Sequence, residues 1–215
     1  MSLETPKARE TRTKLLEGAL RTLAEQGIAK TSARTVAAAA GVNQALVFYH
    51  FGTVDELLAA ACRYGAQQAV DRYRERLGAV TSLSELLAVG REIHASERDG
   101  GHVALLGQLL AGAPTHAALG PATAAGLRLW IAEIEQVLTR VLVGTPVAEF
   151  VDPAGLARAV AASFVGIELY EGADADGAEA ALAALDQLAV LVAALEELGP
   201  VAQRAVRHRL RRAGR

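Results

Sequence analysis

The pattern of apolar and polar positions along this chain is helical almost throughout. Leu15, Leu16, Ala19, Leu20 and Leu23 recur at three- and four-residue spacing, and Gly27 supplies a left-handed terminator, so a first helix is predicted over 7–26. Thr31 or Ser32 stands as N-cap to a short helix carrying Val36, Ala37 and Ala40 that stops at Gly41. Asn43 caps a third helix over 44–51, and Thr53 a long fourth whose first turn sets Asp55 and Glu56 against its positive end. Farther on, Ser82 or Ser84 opens a helix ending near Asp99, and Gly100-Gly101 separates it from a short apolar one over 102–110. Pro114 and Gly120-Pro121 are expected to bracket an irregular stretch. Leu127, Trp130, Ile131, Ile134, Val137, Leu138 and Val141 form one stripe over four turns, ended by Gly144 and Pro146. Asp152-Pro153 reads as an N-cap followed by proline at the first helical position of a helix through Glu171. An acidic link, 172–177, leads to a helix over 178–198, which Gly199-Pro200 ends before a basic tail. The fold class is therefore all-α: a three-helix N-terminal domain followed by a larger helical body, nine to ten helices in all, with boundaries at 1–54 and 55–215.

Composition agrees with this pattern and narrows the classes of protein. Of 215 residues 52% are hydrophobic and 21% charged, with a mean hydropathy of +0.23, enough for a core and too apolar for a disordered chain. A single cysteine excludes a disulfide scaffold and a cysteine-based zinc site. The first fifteen residues do not resemble a signal peptide, and the longest apolar run, 188–195, is less than half a membrane span. The expectation is a soluble, cytoplasmic protein with no membrane partner.

Net charge is −2, which as a total argues against a polyanion partner; its distribution argues the reverse. Residues 1–54 carry seven basic and four acidic side chains, a net +3. Residues 55–200 carry nine basic and twenty acidic, a net −11, and residues 201–215 carry six arginines and no acid. The asymmetry places a polyanion-facing surface at the N-terminus of an acidic body. The arginine tail is read as a solvated, partly frayed last helix or as a second DNA contact.

Gly41 between two short helices, flanked by Ala37 and Val42, is what a helix-turn-helix requires: a small residue where helices cross and glycine where the backbone turns. The string Thr31-Ser32-Ala33-Arg34-Thr35-Val36-Ala37 through Ala40-Gly41-Val42-Asn43-Gln44-Ala45-Leu46-Val47-Phe48-Tyr49-His50-Phe51-Gly52-Thr53-Val54-Asp55-Glu56-Leu57 adds much more. It resembles the N-terminal domain of the TetR family of transcriptional regulators, over roughly residues 10–60. The rest of the chain matches only in length and helix content.

The resemblance implies a DNA-reading surface made by Thr31, Ser32, Arg34, Asn43, Gln44, Ala45, Phe48, Tyr49 and His50. A recognition helix enters the major groove by its N-terminal end. There Gln44 can pair with adenine, Ala45 can meet a thymine methyl, and Arg34 can take two acceptors from guanine or remain an ordinary solvated arginine. Tyr49 and His50 resemble the family's phosphate-contacting pair; Lys7, Arg9 and Arg12 are further phosphate candidates. Phe51 and Val47 are expected in the core. Phe48 stands where the family usually has tyrosine, and Val54 where many members carry lysine, which should remove about one phosphate contact.

The body is expected to supply dimerisation and a switch. Leu182, Leu185, Leu188, Ala189, Val192 and Leu195 make a stripe wider than a monomer needs, with Val190 and Leu191 beside it, and the resemblance implies a four-helix bundle between protomers. For an effector pocket the candidates are Tyr64, His94, Gln108, Trp130, Ile134, Phe164 and Glu168; Glu168 lies at helical spacing with Phe164 and Glu171, so a carboxylate could point into an otherwise apolar face, or pair with an arginine, or sit at the dimer seam. Cys62 reads as a buried inert thiol, with a redox sensor as the other reading. No histidine pair has metal-ligand spacing, and 174–177 lacks the glutamate and loop length of a calcium site, so no metal and no cofactor are expected. The function expected is a one-component regulator, a homodimer that binds a palindromic double-stranded DNA operator, represses, and is released by an unidentified small-molecule effector. The competing class is a helical ligand-binding protein or enzyme in which the helix-turn-helix is incidental; no acid–base pair, nucleophile set or phosphate loop supports catalysis.

Overall fold

The computed structural model describes residues 5–99, 102–113, 117–145 and 147–213. Among them the regular structure is entirely helical: α1 (Pro6–Gln26), α2 (Ala33–Ala40), α3 (Ala45–Phe51), α4 (Val54–Gly78), α5 (Leu83–Asp99), α6 (His102–Gly112), α7 (Leu119–Val141), α8 (Pro153–Glu171), α9 (Ala175–Glu196) and α10 (Pro200–Ala213), with one 3-10 turn at Ile28–Lys30. The chain divides into two compact units. One takes the described residues of 1–69 and 98–129, the other those of 70–97 and 130–213, so the boundary falls inside α4 and α7 and near the end of α5. This cut differs from a boundary at residue 54, because α6 and the first half of α7 cluster with the N-terminal helices.

Local side-chain hydrogen bonds set the helix starts. Thr5 accepts from the Ala8 N–H, and Ser32 forms a reciprocal capping box with Thr35. Asn43 accepts from the Ala45 N–H at 2.8 Å, Thr53 from Glu56, and Ser82 from Glu85. Asp152 accepts from Ala154 and Gly155 with Pro153 at the first helical position. Two boundaries differ from the sequence pattern. Gly120-Pro121 is not a break but the first turn of α7, where a missing proline N–H costs nothing because that donor has no intrahelical acceptor. The acidic link is shorter than 172–177: the carboxylate of Asp174 accepts from the Gly177 N–H and starts α9 at Ala175.

In the first unit Leu15, Ala19 and Leu23 of α1, Val36 of α2, Val47 of α3 and Leu57 of α4 meet in a core from which water is excluded. Gly18 lets α1 and α2 approach closely: a Cβ there would stand 2.9 Å from the Ala40 Cβ and 3.1 Å from the Val36 carbonyl oxygen. In the second unit Leu77, Val80, Val89, Val137 and Leu138 form the core, with Trp130, Ile134 and Phe164 packed on its edge. The Arg140 guanidinium donates to the Leu77 and Val80 carbonyls, satisfying acceptors that the end of α4 leaves without partners.

Candidate nucleic-acid interface and effector site

The turn between α2 and α3 follows from one backbone position. Gly41 is left-handed (φ 65°), and the N–H of Val42 returns to the Ala37 carbonyl, closing the end of α2 and redirecting the chain into α3. Val47 is fully buried and Leu46 half-buried, which anchors α3 by one face. Its opposite face therefore carries Ala45, Phe48 and Tyr49, exposed like Asn43 and Gln44 just before the helix, with His50 half-buried beside them. Arg34 and Ser32 are exposed on α2, and Thr31 is half-buried, its hydroxyl donating to the Gly27 carbonyl. Tyr49 stands 79% exposed with its ring edge-on to His50 at 5.0 Å, an orientation that leaves the phenol outward. Phe51 is half-buried rather than fully in the core: its ring lies under the Arg12 guanidinium, 5.1 Å from the centroid. Lys14 pairs with Glu10 and Arg21 with the Ala39 carbonyl, so part of the N-terminal positive charge is held by the domain itself. Val54, which stands where many members of the resembled family carry lysine, packs partly buried against the core.

The effector candidates divide between the two units. In the first, Tyr64 donates to Glu17 at 3.4 Å, and Gln108 lies against Gly27 with its side-chain oxygen buried and without a hydrogen-bond partner among the described residues. In the second, Trp130 stacks obliquely on Tyr73 at 6.0 Å, and the Tyr73 hydroxyl and the Arg72 guanidinium both donate to Glu97. Ile134 packs on the core edge. His94 and Glu168 are the polar centre of this unit. The imidazole is 4% and the carboxylate 2% exposed, with Nδ1 2.6 Å from Oε1 of Glu168; Nε2 is 3.4 Å from Oε2 of Glu171, and the Phe164 ring stands edge-on to the imidazole. Glu168 thus pairs with a histidine, not an arginine. Burial pushes its carboxyl above the ordinary range, against the lowering effect of His94.

Sequence spacing did not reveal this centre because its halves lie 74 positions apart. The usable signal is a pair of i,i+3 patterns, His94 with Glu97 on α5 and Glu168 with Glu171 on α8, each placing two polar groups on one helix face. Of the stripe expected to pair, Leu182 is buried and Leu185 half-buried within the chain itself, and among the described residues Leu169, Tyr170, Val190 and Leu191 are exposed large apolar side chains of α8 and α9. The side chains of Leu188, Ala189, Val192 and Leu195 lie outside the described residues. Cys62 is buried. Among the described residues no single helix is long and apolar enough to cross a membrane.

A helix-turn-helix that buries one face of its second helix and exposes the other defines a DNA-binding domain, here continuous with an all-α body. Residues 15–61 match the family described as bacterial regulatory proteins, tetR family. Over most of its length the chain has the fold of solved TetR-family regulators. It is similar to a TetR-family protein from Rhodococcus sp. (TM-score 0.69, 23% identity, 86% of this chain and 98% of that one). It is also similar to the transcriptional regulator FadR from Bacillus subtilis in complex with stearoyl-CoA (0.66, 16%, 83% and 97%) and to a Saccharomonospora viridis protein in complex with choline (0.64, 19%, 84% and 94%). A comparison with curated protein sequences gives no match.

Proposed function

We propose that this chain is a non-enzymatic, one-component transcriptional repressor of the cytoplasm, which binds a palindromic operator as a homodimer and is released by a small molecule held in its body. The observation that carries the reading is the two-faced α3: Val47 is locked in the core while Ala45, Phe48 and Tyr49 face outward and Gln44 stands exposed at the N-terminal end that would enter a major groove. Residues 1–54 then read DNA and 55–215 dimerise and bind the effector. Solved proteins of the same fold that hold stearoyl-CoA and choline support a ligand-binding body. A ligand that prefers one separation of the two recognition helices shifts the population away from the spacing the operator requires.

The test is fluorescence anisotropy of the purified chain on palindromes from the DNA flanking its own gene. Tight, salt-dependent binding to one palindrome is expected, with Gln44→Ala costing about 1–3 kcal/mol and relaxing the preference at a single base pair. Equal affinity for unrelated duplexes at physiological salt would overturn the reading.

A further inference from the structure

From Asn43 to Val54 the chain carries no lysine, arginine, aspartate or glutamate. The exposed side of α3 is therefore without a permanent charge, and Arg34 lies on α2, not on this helix. In the major groove guanine is read by a cation that spans its two acceptors, and cytosine by a carboxylate that accepts from its amino group. α3 holds neither of these side-chain types. It presents an amide and hydrocarbon instead. Asn43 and Gln44 stand exposed just before the first turn, but the side-chain carbonyl of Asn43 accepts from the Ala45 N–H at 2.8 Å and is committed to the helix start. Gln44 makes no such capping bond. Beyond it Ala45 and Phe48, three residues apart, share one outward face, with Phe48 49% exposed.

We infer that Phe48 is a specificity-determining residue that reads the 5-methyl group of a thymine, that Ala45 reads a second, and that the operator under α3 is accordingly built of A·T pairs. A phenyl ring has no donor or acceptor, so it gains on DNA only by leaving water together with other hydrocarbon. Among the base-edge groups of the major groove the thymine methyl is the one that offers it. Tyr49, beside Phe48, differs in just this respect: its hydroxyl can donate to phosphate, and its ring is 79% exposed. Side chains three residues apart on a helix have Cβ atoms about 5–6 Å apart, against a rise of about 3.4 Å per base step, so the two methyl groups belong one or two steps from each other. Gln44, one turn before Phe48, supplies the matching amide for an adenine. A surface of this kind recognises the methyl group itself, and so accepts 5-methylcytosine better than cytosine.

Methyl readout rests on the operator binding proposed above, and the two can fail separately. The purified full-length chain selects duplexes from a pool of randomised sequence, and fluorescence anisotropy is measured on the selected duplex with single thymines replaced by uracil, which removes the methyl group and keeps the hydrogen bonds of the pair. Each selected half-site should hold two thymines one or two steps apart. Uracil at either should weaken binding about fourfold, and about 16-fold when both half-sites are changed, the usual worth of one and two buried methyl groups. At the same positions 5-methylcytosine should bind more tightly than cytosine. Phe48→Ala, at a half-exposed position, should abolish the uracil penalty at one of the two thymines and keep it at the other, whereas Phe48→Leu should keep both. The uracil scan on the unaltered chain needs no variant to fold. Selection of no sequence would overturn operator binding and methyl readout together. A selected duplex that binds equally well with thymine or uracil throughout would overturn methyl readout alone. So would a uracil penalty that Phe48→Ala leaves intact at every position, since the ring would then be packed on a sugar.

Discussion

Single side chains in this protein are decided by what surrounds them, and Cys62 is the clearest instance. It lies on α4 at 6% exposure, and burial pushes its thiol up to about 11. The thiolate fraction at pH 8 is then roughly one in a thousand, so iodoacetamide should label the native protein slowly and the urea-unfolded chain fast, as mass spectrometry of time points would read. Rapid native labelling would restore the redox-sensor reading. Because the folded state keeps a proton that the unfolded chain gives up near pH 9, this residue's contribution to stability is intact below that pH and is lost as pH rises toward 11. How much could be read in advance also varies residue by residue. Ser32, Asn43 and Asp152 were legible as caps because their hydrogen bonds are closed within three residues. The His94 and Glu168 pairing was not, because neither helix signals which position of the other it will face.

Between elements, the tightest constraint is the crossing of α1 and α2. Gly18→Ala would drive a methyl group into the Ala40 backbone and the Val36 carbonyl, neither of which is a flexible side-chain end. A loss of about 1–3 kcal/mol is expected, lowering Tm by several degrees in a chain of this length. A thermal scan checks it. Gly41→Ala has open space around its Cβ and is strained only by φ, so Gly41→Asn should be milder than Gly41→Ala while Gly18→Asn should be worse than Gly18→Ala. Helix existence was legible throughout, since apolar spacing records it directly. The misread boundaries at Gly120-Pro121 and Asp174 share one cause: residues that break a helix interior are welcome in its first turn, and spacing alone does not say which side of the boundary they occupy.

At the scale of the whole molecule, the exposed apolar groups and the charge decide what the chain associates with. Val190 and Leu191 are 69% and 62% exposed on α9, and Leu169 and Tyr170 are exposed on the adjoining α8. In the proposed homodimer this surface is covered, so Leu191→Glu should convert a dimer to monomer in light scattering and reduce operator affinity more than any single base-contact variant. The arginine tail is less free than its composition implies: α10 sets Arg207 and Arg211 on Glu149, and the guanidinium of Arg211 holds that carboxyl below its usual range. That leaves the N-terminal domain as the stronger candidate for meeting phosphate.

The capping residues bear on the same balance. Thr5 and Ser32 close α1 and α2 with neutral hydroxyls, and neither helix has an acid in its first turn, whereas α8 and α9 begin on Asp152 and Asp174. A carboxylate cap is as good as a hydroxyl for stability, yet it cancels the partial positive charge of the backbone dipoles at that end. Ser32→Asp should therefore keep or raise Tm while weakening operator binding and its salt dependence, separating two properties that most substitutions in this domain would lose together. The N-terminal domain is thus more electropositive than a count of its side chains suggests, because part of its attraction for phosphate is carried by peptide bonds and protected by what the caps lack.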